Sequence, residues 1–224
     1  MTRLTAFCIY VVLTVLLFSC EDYPGKNENN LFEVSFQVDP EIYGLTDWAE
    51  PPQFALWLEN RTTREIKTIF VTHRTAKDDW EGKASCPVAL PFWVSKFKQE
   101  YTRERGPSFM HPVPDAYTGA TPKSDFNQKF GISDGDWHCY LEVNVSGDYN
   151  DLYKRYFPEE WVHDYGNGQP SIVYRSKDIV SNEVTRPFVV IGQTRQVQAT
   201  GPLLDTVRIT SAHNLLKNLV LKKM

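Results

Sequence analysis

Gln53-Phe54-Ala55-Leu56-Trp57-Leu58-Glu59-Asn60 runs into the polar turn Asn60 to Arg64, and Glu65-Ile66-Lys67-Thr68-Ile69-Phe70-Val71-Thr72 follows it. Both runs are short, rich in aromatic and β-branched residues, and bounded by turn chemistry. Such runs are strands, and the brief separation makes the two a hairpin. The same signals recur on either side. Leu31 to Val38 alternates apolar and polar residues, the period of two of a half-buried strand. Trp137 to Val145 is strand-like after the turn residues Asp134-Gly135-Asp136. Ser124 to Ile132, Ser171 to Arg175, Pro187 to Gly192 and Val207 to Ile209 read as further strands, and Asn214 to Leu221 begins helical and ends extended. Phe92, Trp93, Phe97 and Tyr101 fall on one face of a short helix that starts at Pro91, where proline fits the first turn. Ala76 to Lys83 reads as charged loop, Leu152 to Val162 as irregular, and Gly106 to Pro122 as a long loop of the kind that carries function. Many short strands with turn signals predict an all-β fold, an immunoglobulin-like β-sandwich with one or two short helices, in one domain over 31–224.

Composition narrows the function classes. The formal charge is -4, and no Lys/Arg block is present, so nucleic acid is not the expected partner. The chain holds 13 Phe, 11 Tyr and 6 Trp without a regular stripe, which favours core packing over a glycan-binding face. Of the cysteines, Cys86 and Cys139 lie in the body of the chain and in no CxxC motif. In an oxidising compartment they bond or stay as two buried thiols, and the sequence leaves both open.

The first residues set the expected location. Arg3 supplies positive charge, Ala6 to Phe18 is apolar apart from Thr14, and Leu17-Phe18-Ser19-Cys20 ends the run with a small residue before a cysteine. Charge, a short apolar core and a small-residue cleavage site make a signal peptide, and the run is too short for a spanning helix. The tetrad resembles the bacterial lipobox. The resemblance implies cleavage after residue 19, lipid attachment at Cys20, and a membrane-anchored protein of the cell envelope, periplasmic or surface-exposed. Residues 20–30 are polar, with Pro24 and Gly25, and read as a flexible tether.

One heptad carries a sharper chemical expectation. Asp115-Ala116-Tyr117-Thr118-Gly119-Ala120-Thr121 resembles the acceptor motif of periplasmic proteins that carry covalent FMN, such as the FMN-binding subunits of sodium-pumping NADH:quinone reductase and their Rnf relatives. The resemblance implies Thr121 as the hydroxyl that receives FMN from a flavin transferase, with Asp115, Thr118, Gly119 and Ala120 as recognition residues and a membrane redox partner. Tyr117 and the following Pro122-Lys123 depart from that pattern. A turn capped by Asp115 and supplied by Gly119 explains the same residues structurally. Over more of the chain, Ala55 to Val71, Asp115 to Thr121, Leu141 to Asp151 and Gly166 to Tyr174 resemble an uncharacterised periplasmic family of unknown function. That resemblance implies a β-sandwich and assigns no activity.

Other constellations are weak. His73, His111, His138, His163 and His213 show no metal-ligand spacing. Asp148, Asn150 and Asp151 cluster in a turn that lacks the full calcium-loop pattern. No nucleophile elbow, P-loop or dinucleotide fingerprint is present. The expectation is a lipid-anchored binding or interaction module without catalytic residues of its own, with a flavin-carrying electron-transfer protein as the alternative.

Overall fold

The computed structural model describes residues 30–81, 86, 89–157, 162–163, 166–179, 184–197 and 203–224. Its strands are β1 (Leu31–Val38), β2 (Gln53–Asn60), β3 (Ile66–Thr72), β4 (Thr118–Gly119), β5 (Asp125–Gly131) and β6 (Trp137–Asn144). They continue with β7 (Tyr156–Phe157), β8 (Val162–His163), β9 (Ile172–Ser176), β10 (Thr185–Gln193) and β11 (Leu216–Lys223). Four short helices intervene: α1 (Pro40–Gly44), α2 (His73–Lys77), α3 (Pro91–Glu100) and α4 (Ser211–Leu215). Nine strands form one sheet in the order β4-β3-β2-β6-β9-β10-β11-β1-β5, and β7 pairs with β8 alone. All sheet pairings are antiparallel except the short β3–β4 contact.

The β-rich expectation is met, and the strand arrangement differs from an immunoglobulin-like sandwich. That fold divides its strands between two sheets, whereas here one ladder is continuous and curls into a half-barrel. The bend lies in β10. Thr185 to Pro187 pair with β11, whereas Phe188 onward pairs with β9. A strand shared in this way lets one half of the sheet turn over the other. The two edge strands, β4 and β5, are joined by residues 120–124, a link that reaches about 18 Å at full extension. Aromatic rings close the gap: Phe126 of β5 stacks on Phe36 of β1 at 4.6 Å and meets Phe70 of β3 edge-on at 4.9 Å.

The sheet is buried on both faces over its middle strands. Inside the curl, Phe32, Val34 and Phe36 of β1 face Phe54, Leu56 and Leu58 of β2 and Leu141 and Val143 of β6 in one apolar core. On the outer face, Ala55, Trp57, Val71 and Val173 are covered by Leu90, Trp93 and Phe97 of the helical segment. Burial on both faces explains why β2 reads as a continuous apolar run rather than an alternation. A bulge opposite Leu56 and Trp57 turns both Ile69 and Phe70 inward.

Elements predicted at Leu31 to Val38, Gln53 to Asn60 and Pro91 to Tyr101 stand at those places, with α3 ending at Glu100. Val207 to Ile209 forms no strand; Val207 lines a cleft and Ile209 lies in the core. The segment expected to be charged loop, Ala76 to Lys83, opens on the last two residues of α2, Ala76 and Lys77. Signal peptide, Cys20 and nearly all of the tether lie outside the described residues.

Candidate functional site

Two places compete for the role of site: the heptad at the sheet edge, and a cleft at the far end of β9 and β10.

In the heptad, Asp115 to Tyr117 form a single 3₁₀ turn, and Thr118–Gly119 is the edge strand β4, parallel to Val71 and Thr72. The Asp115 carboxylate is almost wholly exposed and pairs with Lys77 Nζ at 2.5 Å. That hydrogen bond and charge hold it below the usual carboxylate range. Thr118 Oγ1 donates to the Asp115 carbonyl at 3.2 Å. A Cβ on Gly119 would sit 2.5 Å from the Phe70 ring, so close packing at the barrel seam demands glycine there. Ala120 is exposed and Thr121 is half-buried in the link between the two sheet edges. Packing thus accounts for Gly119, while Asp115 and Thr118 take part in local bonds. Thr121 is partly accessible.

Cys86 and Cys139 are not joined. Both are buried thiols on opposite faces of the sheet, Cys139 in the inner core and Cys86 in the outer one. The Cys86 thiol donates to Asn167 Oδ1 at 3.4 Å. Burial pushes the Cys139 thiol upward, so it is a poor nucleophile. The disulfide left open by the sequence is therefore not formed.

Turn residues take structural roles. Asp148 accepts from the Gln169 backbone at 2.7 Å, and Asn150 Oδ1 accepts from Leu152 and Tyr153 N–H at 2.9 Å each. Among the described residues no group of His, Cys, Asp and Glu is arranged to hold a metal ion. None of their helices is long and apolar enough to cross a membrane.

The cleft has a volume of about 760 Å³. Leu152, Pro170, Val197, Leu204 and Val207 supply its apolar surface, Tyr153, Gln193, Thr194 and Gln196 its neutral polar groups, and the exposed Arg195 and Asp205 one charge of each sign. Each of the four neutral polar side chains is fixed before any ligand arrives. Gln193 Nε2 donates to the Tyr153 hydroxyl at 2.9 Å, Gln193 Oε1 accepts from Val207 N–H at 2.6 Å, and Tyr153 donates to the Val207 carbonyl at 2.8 Å. Gln196 Nε2 donates to the Lys154 carbonyl at 2.7 Å. The Gln193–Leu204 backbone pair, at 2.9 and 2.8 Å, ties the two walls together. A Cβ at Gly192 would lie 2.7 Å from the Leu204 carbonyl, so only glycine lets these walls meet.

Behind the wall the hydrogen bonds continue inward. The Thr194 and Ser171 hydroxyls share a bond of 2.7 Å, and Ser171 donates to Glu142 Oε1 at 2.5 Å. Glu142 is fully buried on the outer face of β6. It also accepts from Phe92 N–H at 3.2 Å and Trp93 N–H at 2.6 Å, the first turn of α3. Leu90, the residue that caps α3, offers no side-chain bond of its own. A strand carboxylate thus serves the helix's unsatisfied donors from outside it. Desolvation pushes the Glu142 carboxyl up to about 7, against the three donors that favour its charge.

The sequence pointed to neither the cleft nor Glu142. Glu142 and Asn144 occupy the polar phase of an alternating strand, which reads as solvent-facing. The cleft joins side chains from 152–153, 193–197 and 203–207, and no spacing links those segments. Compared with protein-family models, curated proteins and solved structures, the chain matches none of them.

Proposed function

We propose that the protein is a membrane-anchored extracytoplasmic lipoprotein, a non-catalytic binding module whose ligand enters the cleft at the end of β9 and β10. The observation that carries the binding reading is the cleft's chemistry: a mainly apolar surface with a few amide and hydroxyl groups already locked in orientation, and Arg195 and Asp205 exposed beside them. Sites for small ligands share this pattern, because apolar burial supplies affinity and fixed polar groups supply orientation. The ligand class is a molecule with an apolar body and one or two hydrogen-bonding groups. Support for the anchor comes from the signal pattern, from Cys20, and from a polar tether that delivers the chain to Asn30 at the start of β1.

A thermal-shift screen of neutral and charged fragments tests the cleft. Fragments that raise the melting temperature of the native chain are expected to lose that effect in Leu204→Arg, which places a charge in the apolar wall. Hits that stabilise both proteins equally would remove the cleft from the argument. For the anchor, Cys20→Ala is expected to release the protein from membranes, and its retention in the membrane pellet would count against lipidation.

A second reading, covalent FMN at Thr121, is favoured by the exposure of Ala120 and the half-exposure of Thr121 beside it. Bound there, the flavin would supply the redox chemistry, and the chain would supply an attachment oxygen on a rigid seam. Co-expression with a periplasmic flavin transferase is expected to add the mass of FMN to the native chain and not to Thr121→Ala. An unmodified mass, with the transferase active on a known acceptor, removes the flavin reading.

A further inference from the structure

A row of hydrogen bonds connects the first turn of α3 to the cleft, and its last two members are the ones that can reverse. Glu142 accepts from Phe92 N–H on Oε1 at 3.2 Å and from Trp93 N–H on Oε2 at 2.6 Å. A backbone N–H donates and never accepts. The third partner of Glu142 is the Ser171 hydroxyl, 2.5 Å from Oε1, and a hydroxyl can do either. Ser171 shares a bond of 2.7 Å with the Thr194 hydroxyl, in which either oxygen can be the donor. Glu142 and Ser171 are fully buried, while Thr194, 3% exposed, borders the cleft.

The two N–H donors dictate where the hydrogens lie. An ionised Glu142 accepts all three bonds. Ser171 then gives its single hydrogen to Glu142, so it accepts from Thr194, whose hydrogen points inward. A protonated Glu142 needs an acceptor for its own hydrogen, and of its three partners Ser171 Oγ alone can accept. Ser171 then turns its hydrogen toward Thr194, and the Thr194 hydrogen is left to bond outside the row. Proton hops convert one arrangement directly into the other. A proton from water reaches Thr194 Oγ1, Thr194 passes its original hydrogen to Ser171, and Ser171 passes its own to Glu142. Each hydroxyl gains one O–H bond and loses one, and Glu142 keeps the added proton.

We propose that Thr194, Ser171 and Glu142 form a relay that sets what the cleft takes: a hydrogen-bond donor when Glu142 is ionised, and an acceptor such as a carbonyl when Glu142 holds a proton. This rests on the cleft being the binding site and names the ligand group that Thr194 reads. Glu142 is a positioning residue, since it acts on the ligand through two hydroxyls.

The environment of Glu142 lets both forms occur near neutrality. Desolvation raises its carboxyl to about 7 against the bonds from Ser171, Trp93 and Phe92. Other titratable and charged groups on the elements around it are Tyr140 of β6, Arg175 of β9, Glu59 of β2 and Lys96 of α3, with Cys86 in the same apolar layer and Arg195 and Asp205 at the cleft. Lys96 and Glu59 pair with each other at 3.0 Å. By linkage, a ligand that accepts from Thr194 raises the Glu142 midpoint, and one that donates to Thr194 lowers it.

The test follows the Thr194 methyl and the Glu142 carboxyl of the full chain by NMR, without ligand, from about pH 5 to about pH 9. Both signals are expected to move with one midpoint. In Glu142→Gln, whose amide donates to Ser171 at every pH, Thr194 is expected to stay at its low-pH position. In Ser171→Ala the carboxyl keeps its two N–H partners and is expected to titrate while Thr194 stays still. A native Thr194 that does not move while Glu142 titrates would overturn the relay, and so would a Thr194 response undiminished in Ser171→Ala. Cyclohexanone, an acceptor with no donor, is the probe for the cleft. It is expected to bind more tightly at low pH than at high pH by on the order of tenfold, and to lose that difference in the near-isosteric Thr194→Val. Equal binding at both ends of the range would overturn selection by Thr194. Coupled titration with no response of the Leu204 and Val207 methyls to cyclohexanone would support the relay and count against the cleft as the place where ligands enter.

Discussion

Leu141 and Glu142 are neighbours on β6, and both are buried, at 1% and 0% exposure. They point to opposite faces of the sheet, and the two faces are stabilised by different physics. Leu141 enters the interior of the curl, where apolar side chains from β1, β2 and β9 surround it. That face needs volume and little else. Glu142 enters the outer layer beneath α3, where its two oxygens are used by Phe92, Trp93 and Ser171. That face needs partners at fixed positions, because a buried polar group without them costs more than its bond returns. The inner core makes the chain fold, while the outer network fixes where α3 and the cleft wall sit.

Removing volume inside has the largest expected effect. Leu141→Ala should cost about 2–5 kcal/mol and lower the melting temperature by roughly 5–15 °C, with the pH dependence of stability unchanged. A loss under 1 kcal/mol in chemical denaturation would show that the curl is looser than its core implies.

Glu142→Gln is expected to act through pH. The folded carboxyl is raised to about 7 from 4.5. Between those values the folded state holds a proton that the unfolded state has released, so stability falls as pH rises through the window and levels off above it. The native chain should lose on the order of 3 kcal/mol across it relative to Glu142→Gln. The amide keeps its carbonyl for Trp93 N–H and can donate to Ser171, which then donates to Thr194, but it gives up the 3.2 Å bond from Phe92 N–H at every pH, so the comparison is of the slopes with pH. Denaturation curves of both proteins from pH 4 to 8 provide the check, and parallel profiles would contradict the burial of Glu142.

The smallest effect is expected at the sheet edge. Lys77 and Asp115 pair at 2.5 Å with the carboxylate almost wholly in water, and solvent screens such pairs. Lys77→Ala should leave the unfolding midpoint unchanged within error at moderate salt. A clear drop would mean that the heptad turn, and with it the link closing the curl, depends on that contact.

Legibility divides along the same line. Strands β1, β2 and β6 and helix α3 could be read locally, since each carries its own periodicity and bounding turns. Helix α1 could not, because Pro40 to Gly44 is too short for a period and is set by Asp39, whose side chain accepts from Glu41 N–H. The heptad was visible as a motif, but what it contacts was not: Gly119 against Phe70 and Asp115 against Lys77 pair residues far apart in sequence.

The amino-acid sequence by itself determined most of the long strands, helix α3 and the expectation of a signal ending at Cys20, because periodicity and turn chemistry are local. Tertiary structure alone decided that the strands form one curled sheet rather than two, that Cys86 and Cys139 lie on opposite faces, and that Glu142 is dry. The physical reason is that alternation tells which residues share a face but not what covers it. Once α3 lies across the outer face of β6, a residue patterned for water becomes a buried carboxylate tied to a helix end and, through two hydroxyls, to the wall of the cleft.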